Sequence, residues 1–382
     1  MARHNPHQDM STADDHTQMV LDGTKIAWHP DRVEAWERGE RIAPITIDMA
    51  LTRACNYACG FCYAMLQEND RSVITEDTMR RFIDDCERMG VRAISLVSDG
   101  ESTLSKAFIK TIQWGDAAGI SMAVGTNGWL LGEEVLEQIL PHLTYLRFNF
   151  SGGEPKRYAE IMGVKEEDFY RVSNNAATAA KIKRRDNLGV TIGLQMVLMP
   201  QDIDQVLPLA HHGKTLGVDY TIIKHCSDDE DGNLGVDYQA YSALYPLLAE
   251  AEKISTDDYD VVIKWSKIGD AGTRSYKRCY GPPFMIQISG SGLVAPCGML
   301  FNDKYAKFHI GNIVEQSWYD IWQSERYWEV MSYLGSDDFN AQTMCGSLCL
   351  QHKVNEALDG HMNHDRRIGA PAGKQPMHIN FV

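Results

Sequence analysis

The chain has 382 residues, a formal net charge of −15 and an apolar share of 44%. That length exceeds one small domain, and the apolar share fills a sizeable core. The acidity argues against a grip on nucleic acid, which needs clustered Lys and Arg on phosphates.

Residues 1–42 are polar, open with "MARHNPHQDMSTADDHTQMV", and lack the apolar h-region of a secretory signal. No run approaches the roughly 18 apolar residues of a membrane span. The expectation is a cytoplasmic protein with no membrane partner, in which thiols stay reduced. Clustered cysteines there point to metal or redox chemistry rather than disulfides.

From residue 43, short β-rich runs alternate with amphipathic ones. The strand candidates are 43–51, 92–98, 121–127, 144–150, 189–198 and 219–225, with helix-like stretches at 75–90, 104–118, 132–141, 168–184 and 203–216. Six strands with helical crossovers predict a parallel α/β sheet or partial barrel over 43–235, with its site at the C-terminal strand ends. Residues 236–276 read as a linker carrying a helix. Residues 277–352 read as a Cys-, Gly- and Pro-punctuated unit in which "SGSG" turns a hairpin. The remainder, 353–382, reads as a polar tail.

The nine cysteines fall into groups. "LTRACNYACGFCYAM" places Cys55, Cys59 and Cys62 just past the first strand, in the pattern C-x3-C-x2-C. Structural zinc usually takes four ligands, whereas three thiolates suit a cluster that keeps one iron open. Cys279, Cys297, Cys345 and Cys349 form a second set, for which spacing alone leaves zinc open. Cys86 sits in an amphipathic helical pattern and reads as a buried structural thiol. Cys226 follows the sixth strand.

The motif Cys55, Cys59, Phe61, Cys62 resembles, residue for residue, the signature of the radical S-adenosylmethionine (radical SAM) superfamily. The resemblance implies a partial (β/α)6 barrel and a [4Fe-4S] cluster on the three thiolates. It implies S-adenosylmethionine on the open iron, and its reductive cleavage to a 5′-deoxyadenosyl radical that takes hydrogen from a substrate. "LVSDGES" resembles the family's Gly-Gly-Glu-Pro segment, with Ser102 where Pro is usual. Gly100 and Glu101 would line the cofactor, and Glu101 would accept its ammonium. Asn127 in "TNG", and Asn149 and Ser151 after the fourth strand, are further cofactor candidates; taken alone, each reads as a strand-end cap.

The second cysteine set, with Gly311–Asn312 and Ile321–Trp322, resembles the C-terminal SPASM and twitch extensions of radical SAM enzymes. It implies one fully ligated auxiliary [4Fe-4S] cluster. Three readings follow. The first is a redox enzyme on a small polar metabolite, such as a sugar, aminoglycoside or amino-acid derivative. It would be fed by a reductant such as flavodoxin or ferredoxin and would give oxidation, or epimerisation with Cys226 returning a hydrogen atom. The second is a maturase of a ribosomal peptide. The third is a non-catalytic iron–sulfur or zinc protein. The short polar segment before residue 43 favours the first over the second, and the open three-cysteine site disfavours the third. Lys224 and His225 are candidates for a polar substrate, and Glu154, Arg157 and Tyr158 weaker ones.

Overall fold

The computed structural model describes residues 23–69, 71–270, 273–345, 349, 351–369, 371 and 374–382. Its sheet runs β10-β9-β8-β1-β2-β3-β4-β5-β6-β7. Strands β1 (Thr46–Met49), β2 (Ala93–Leu96), β3 (Ser121–Thr126), β4 (Tyr145–Asn149), β5 (Thr191–Leu198) and β6 (Tyr220–His225) are the six expected runs, all parallel to their neighbours. A seventh, β7 (Asp260–Ile263), pairs with β6 inside the segment expected to be a linker. The hairpin β8 (Met285–Ile288) and β9 (Leu293–Ala295) does not stand apart. β8 lies parallel to β1 with Ile47 opposite Ile286, and β9 and the short β10 (Gly311–Asn312) extend the edge in antiparallel pairing.

Alternation along these strands sorts their side chains. In β1, Ile47 and Met49 join the apolar core, while Asp48 faces the barrel interior. Helices cover the outer face, as parallel sheets require. The helix Glu76–Met89 shows why its sequence folds locally. Thr75 caps it by accepting from the Thr78 amide at 3.1 Å, Glu76 and Asp77 suit its first turn, and Gly90 ends it at φ 76°. It buries Met79, Phe82, Ile83 and Cys86 against the sheet.

The C-terminal segment is not a loose polar tail. Residues His352–Asn363 form a helix whose Val354 and Leu358 pack with Ile26, Val33 and Phe284. Residues 378–382 then cross the N-terminal ends of the strands. Thr46 Oγ1 donates to Asn380 O at 2.7 Å, Asn380 Nδ2 donates to Ser121 Oγ at 3.0 Å, and His378 Nε2 lies 2.8 Å from Thr191 Oγ1. The segment floors the barrel, and the polar composition that suggests solvent serves these strand-end contacts. Among the described residues no helix is long and apolar enough to cross a membrane.

Candidate active site

The cysteine loop is seated between two glycines. A Cβ on Gly100 would lie 1.9 Å from Thr52 O, and one on Gly290 would lie 2.1 Å from the Thr52 carbonyl carbon. Only glycine admits the loop backbone there. Ala54 O accepts from the Glu101 amide at 2.9 Å, Asn56 Oδ1 from Asn127 Nδ2 at 2.8 Å, and Ile161 O from the Gly60 amide at 3.1 Å. Arg53 reaches the carbonyls of Gln67 and Asn69 and lies 3.6 Å from Asp99. Cys55 is exposed, and Cys59 and Cys62 are half-buried. Burial raises all three thiol pKa values, and at Cys59 the charges of Cys62 and Cys55 raise it further. Three thiolates so placed need a positive centre, and an iron cluster fits that donor set.

Glu101 is buried and fully engaged. Its Oε1 accepts from Thr103 N at 3.1 Å, Thr103 Oγ1 at 2.7 Å and Thr126 Oγ1 at 2.7 Å, while Oε2 accepts from Asn127 N at 2.8 Å. With about two lone-pair directions per oxygen, a further cation would approach Oε2. Ser102 opens a turn and accepts from the Leu51 amide at 3.2 Å, tying the loop to β1. Asn149 faces the interior and accepts from Gln195 Nε2 at 2.9 Å. Ser151 does not line the interior. It is fully buried and its hydroxyl accepts from the Val197 amide at 3.1 Å, which is a strand-end role.

Below the loop, the barrel encloses a cavity of about 330 Å³. It reaches from Phe61, Cys62 and Tyr63 down to His378 and Phe381. Its wall carries Asp48, Arg147, Lys224, His225, Lys264 and Lys267. Of these, only Lys224 and His225 figure in the sequence reading. The signal for Asp48 and Arg147 was a charge at an inward position of an otherwise apolar strand, "TIDM" and "YLRFN".

Cys226 does not reach this cavity. The chain turns at the end of β6, where the Cys226 amide donates to Leu198 O at 3.0 Å. Its buried thiol faces the carbonyls of Phe61 and Ser227, each at 3.6 Å. Burial first, and Asp228 next, push it up to about 12. Tyr158 is also buried, 3.2 Å from the Tyr57 hydroxyl, and Arg157 pairs with Glu160, Asp202 and Asp204. Glu154 accepts from Gln205 Nε2 at 3.0 Å.

The second cysteine set converges from three places: before β8 (Cys279), after β9 (Cys297), and ahead of the helix His352–Asn363 (Cys345 and Cys349). Burial raises the Cys279 thiol well above its ordinary value, and Cys349, Cys345 and Cys297 add to that in turn. Asn355, missed in the sequence, points its amide at Cys279 Sγ (3.5 Å) and Cys349 Sγ (3.7 Å). Tyr63 is set between the two cysteine groups. Its raised pKa comes from burial first, with Cys297, Asp99 and Cys62 adding to it.

A parallel barrel with a three-cysteine loop past its first strand, backed by a four-cysteine extension, defines a radical SAM protein with an auxiliary-cluster domain. The comparisons agree. The model of the radical SAM superfamily matches residues 49–212, and that of the SPASM iron–sulfur cluster-binding domain matches residues 279–349. The chain belongs to the radical SAM superfamily and carries a C-terminal SPASM domain. Those domains imply a SAM-binding [4Fe-4S] cluster, S-adenosylmethionine and auxiliary iron–sulfur.

The chain is 25% identical over 313 residues to mycofactocin maturase MftC of Mycolicibacterium smegmatis, covering 78% of this chain and 75% of that protein. It is 22% identical over 301 residues to the tungsten-containing aldehyde ferredoxin oxidoreductase cofactor-modifying protein of Pyrococcus furiosus, covering 73% of this chain and 81% of that protein. Its fold is similar to that of Streptococcus suis SuiB bound to S-adenosylmethionine. The TM-score is 0.61 at 17% identity, covering 80% of this chain and 72% of that one.

Proposed function

We propose that the chain is a radical SAM maturase that oxidises a peptide, with the reacting residue held in the barrel between the two cysteine groups. The observation that carries this reading is the cavity itself, walled at one end by Phe61, Cys62 and Tyr63 and floored at the other by residues 378–382. The name of the mycobacterial relative, a maturase, supports a peptide over the small metabolite that the short N-terminal segment favoured. SuiB, whose fold this chain shares, has been solved with a precursor peptide, SuiA.

Cys55, Cys59 and Cys62 would hold the SAM-binding cluster, and Cys279, Cys297, Cys345 and Cys349 the auxiliary one. When bound, the first cluster, once reduced, would supply the electron that cleaves S-adenosylmethionine to a 5′-deoxyadenosyl radical, and the auxiliary cluster, in its oxidised state, would accept one electron from the substrate. The protein's own contribution is positioning. Glu101 locks the ends of β2 and β3 against the cysteine loop, Asn149 faces the substrate space, and residues 378–382 line its lower end. Oxidation is preferred to epimerisation because, among the described residues, the only thiol on the cavity wall is Cys62, a cluster ligand.

The test is anaerobic. Reconstituted enzyme, S-adenosylmethionine and reductant are incubated with a synthetic peptide library, and mass spectra are read for loss of two hydrogens together with 5′-deoxyadenosine. Turnover stimulated by small sugars or amino acids and by no peptide sinks the reading.

A further inference from the structure

We infer that the barrel interior is an anion pocket, in which Arg147, Lys224, Lys264 and Lys267 receive an oxyanion-rich end of the substrate. This deepens the peptide reading and rests on it for the identity of the reacting end. Arg147 comes from β4, Lys224 from β6, Lys264 from the residue after β7, and Lys267 from the short helix Trp265–Gly269. Within 4.0 Å, none of the four has an ion-pair partner among the described residues, and Arg147 Nε is buried with no hydrogen-bond partner. Other cations on the wall are already engaged. Lys25 donates to the carbonyls of His378 and Phe381, both at 3.3 Å, and Lys353 pairs with Asp270 at 3.1 Å and Glu356 at 2.6 Å.

Among the described residues, Asp48 carries the one carboxylate side chain on the cavity wall, and Gln287 Nε2 donates to it at 3.5 Å. Four cationic side chains against one carboxylate side chain, drawn together in the barrel interior, repel one another and lose part of their hydration. An incoming oxyanion removes both penalties. Burial first, and neighbouring cations next, push Lys224 down to about 7 and depress Lys264.

A second observation points to a ligand. His225 is 1% exposed, lies on the same wall, and neither ring nitrogen has a hydrogen-bond partner. Burial keeps it neutral, with a pKa pushed down to about 3, so it offers one N–H to an oxyanion and accepts no charge of its own. The floor limits depth. At about 330 Å³ the cavity stands at the small end of ligand pockets and suits a short terminal segment rather than a folded domain. The oxyanions have two possible sources, the carboxylates of an acidic peptide terminus or those and phosphates of a small metabolite.

Calorimetry on the reconstituted, SAM-bound enzyme at pH 7 and low salt separates them. The probes are a hexapeptide ending in Asp-Glu with a free carboxylate, its Asn-Gln amide, citrate and pyrophosphate. The acidic peptide is expected to bind at least about tenfold more tightly than its amide, to weaken by a similar factor in Lys264→Gln, and to recover in Lys264→Arg. Lys224→Gln serves as the second variant, and iron content with circular dichroism reports whether each has folded. If citrate or pyrophosphate binds with the same dependence on Lys264 while neither peptide binds, the pocket stands and the peptide reading falls. If both peptides bind equally, with no effect of either substitution, the peptide reading stands and the pocket is refuted. Binding by none of the four probes also refutes the pocket.

Discussion

Ser289 donates its hydroxyl to Asp99 across 2.6 Å, joining the hairpin of the SPASM domain to the loop that follows β2. Gly290 N adds a second bond to the same carboxylate at 2.8 Å, and both partners are buried. The auxiliary domain is thereby fastened to the loop that carries Gly100 and Glu101. Asp99→Ala leaves two buried donors unpaired, and destabilisation of about 2–4 kcal/mol is expected by chemical denaturation of the reconstituted protein. A loss below about 0.5 kcal/mol shows that the link is dispensable.

The three-plus-four grouping of cysteines sets an iron count. Reconstituted wild type is expected to hold about eight irons per chain, and the Cys55, Cys59 and Cys62 triple Ala variant about half of them. Stoichiometric zinc with only four irons in the wild type removes the auxiliary iron–sulfur assignment.

Glu101 has a structural role and, in the proposed reading, a second one toward the cofactor, and substitution separates them. Glu101→Gln keeps an acceptor for Thr103 and Thr126 but loses the charge proposed to face the cofactor's ammonium. The expected result is intact clusters and S-adenosylmethionine affinity reduced roughly tenfold to a hundredfold, measured by equilibrium binding. Unchanged affinity in a folded variant leaves Glu101 with its structural role alone.

Cys226 is expected to be a bystander. Its thiol faces the Phe61 carbonyl at 3.6 Å and does not line the cavity. Cys226→Ser is therefore expected to form 5′-deoxyadenosine and normal product at near wild-type yield. Shunt products from a stalled substrate radical return the thiol to the mechanism.

The strands and both cysteine groups were legible because their signals are local: alternation, spacing, and turn residues within a few positions. The three-cysteine loop and the glycine before Glu101 could be read at once. The pocket could not, since Arg147, Lys224, Lys264 and Lys267 meet only when β4, β6 and β7 close around one space. β7 itself, "DVVI", is four residues long and follows an acidic turn, so it offered no period to count. The direction of Cys226 depends on how the chain leaves β6, which strand periodicity does not encode. The floor was missed because residues 378–382 bind largely through strand-end polar contacts, and composition does not report those.

The pocket leaves a signature in the pH dependence of stability. Lys224 has its pKa lowered from 10.5 to about 7 by burial first, then by Lys267 and Arg147, with Cys226 and Asp48 opposing. Lys264 and His225 share the wall. Between about 7 and 10.5 the unfolded chain binds a proton at this lysine that the folded chain has released, so stability rises with pH across that window. Asp48 runs the other way. Burial lifts its carboxyl from 3.8 to about 7, against Arg147, Lys224 and Lys264. The folded state then holds a proton that the unfolded state has lost, and stability falls as pH rises from about 4 to 7. The two slopes place a local minimum near pH 7 in the substrate-free enzyme. Lys224→Met removes the charge that folding must bury, so the rise above pH 7 is expected to flatten and stability at pH 7 to increase. Urea midpoints of the reconstituted wild type and variant, measured between pH 6 and 9, decide it. An unchanged slope above pH 7 in Lys224→Met means that Lys224 keeps its ordinary proton affinity in the fold.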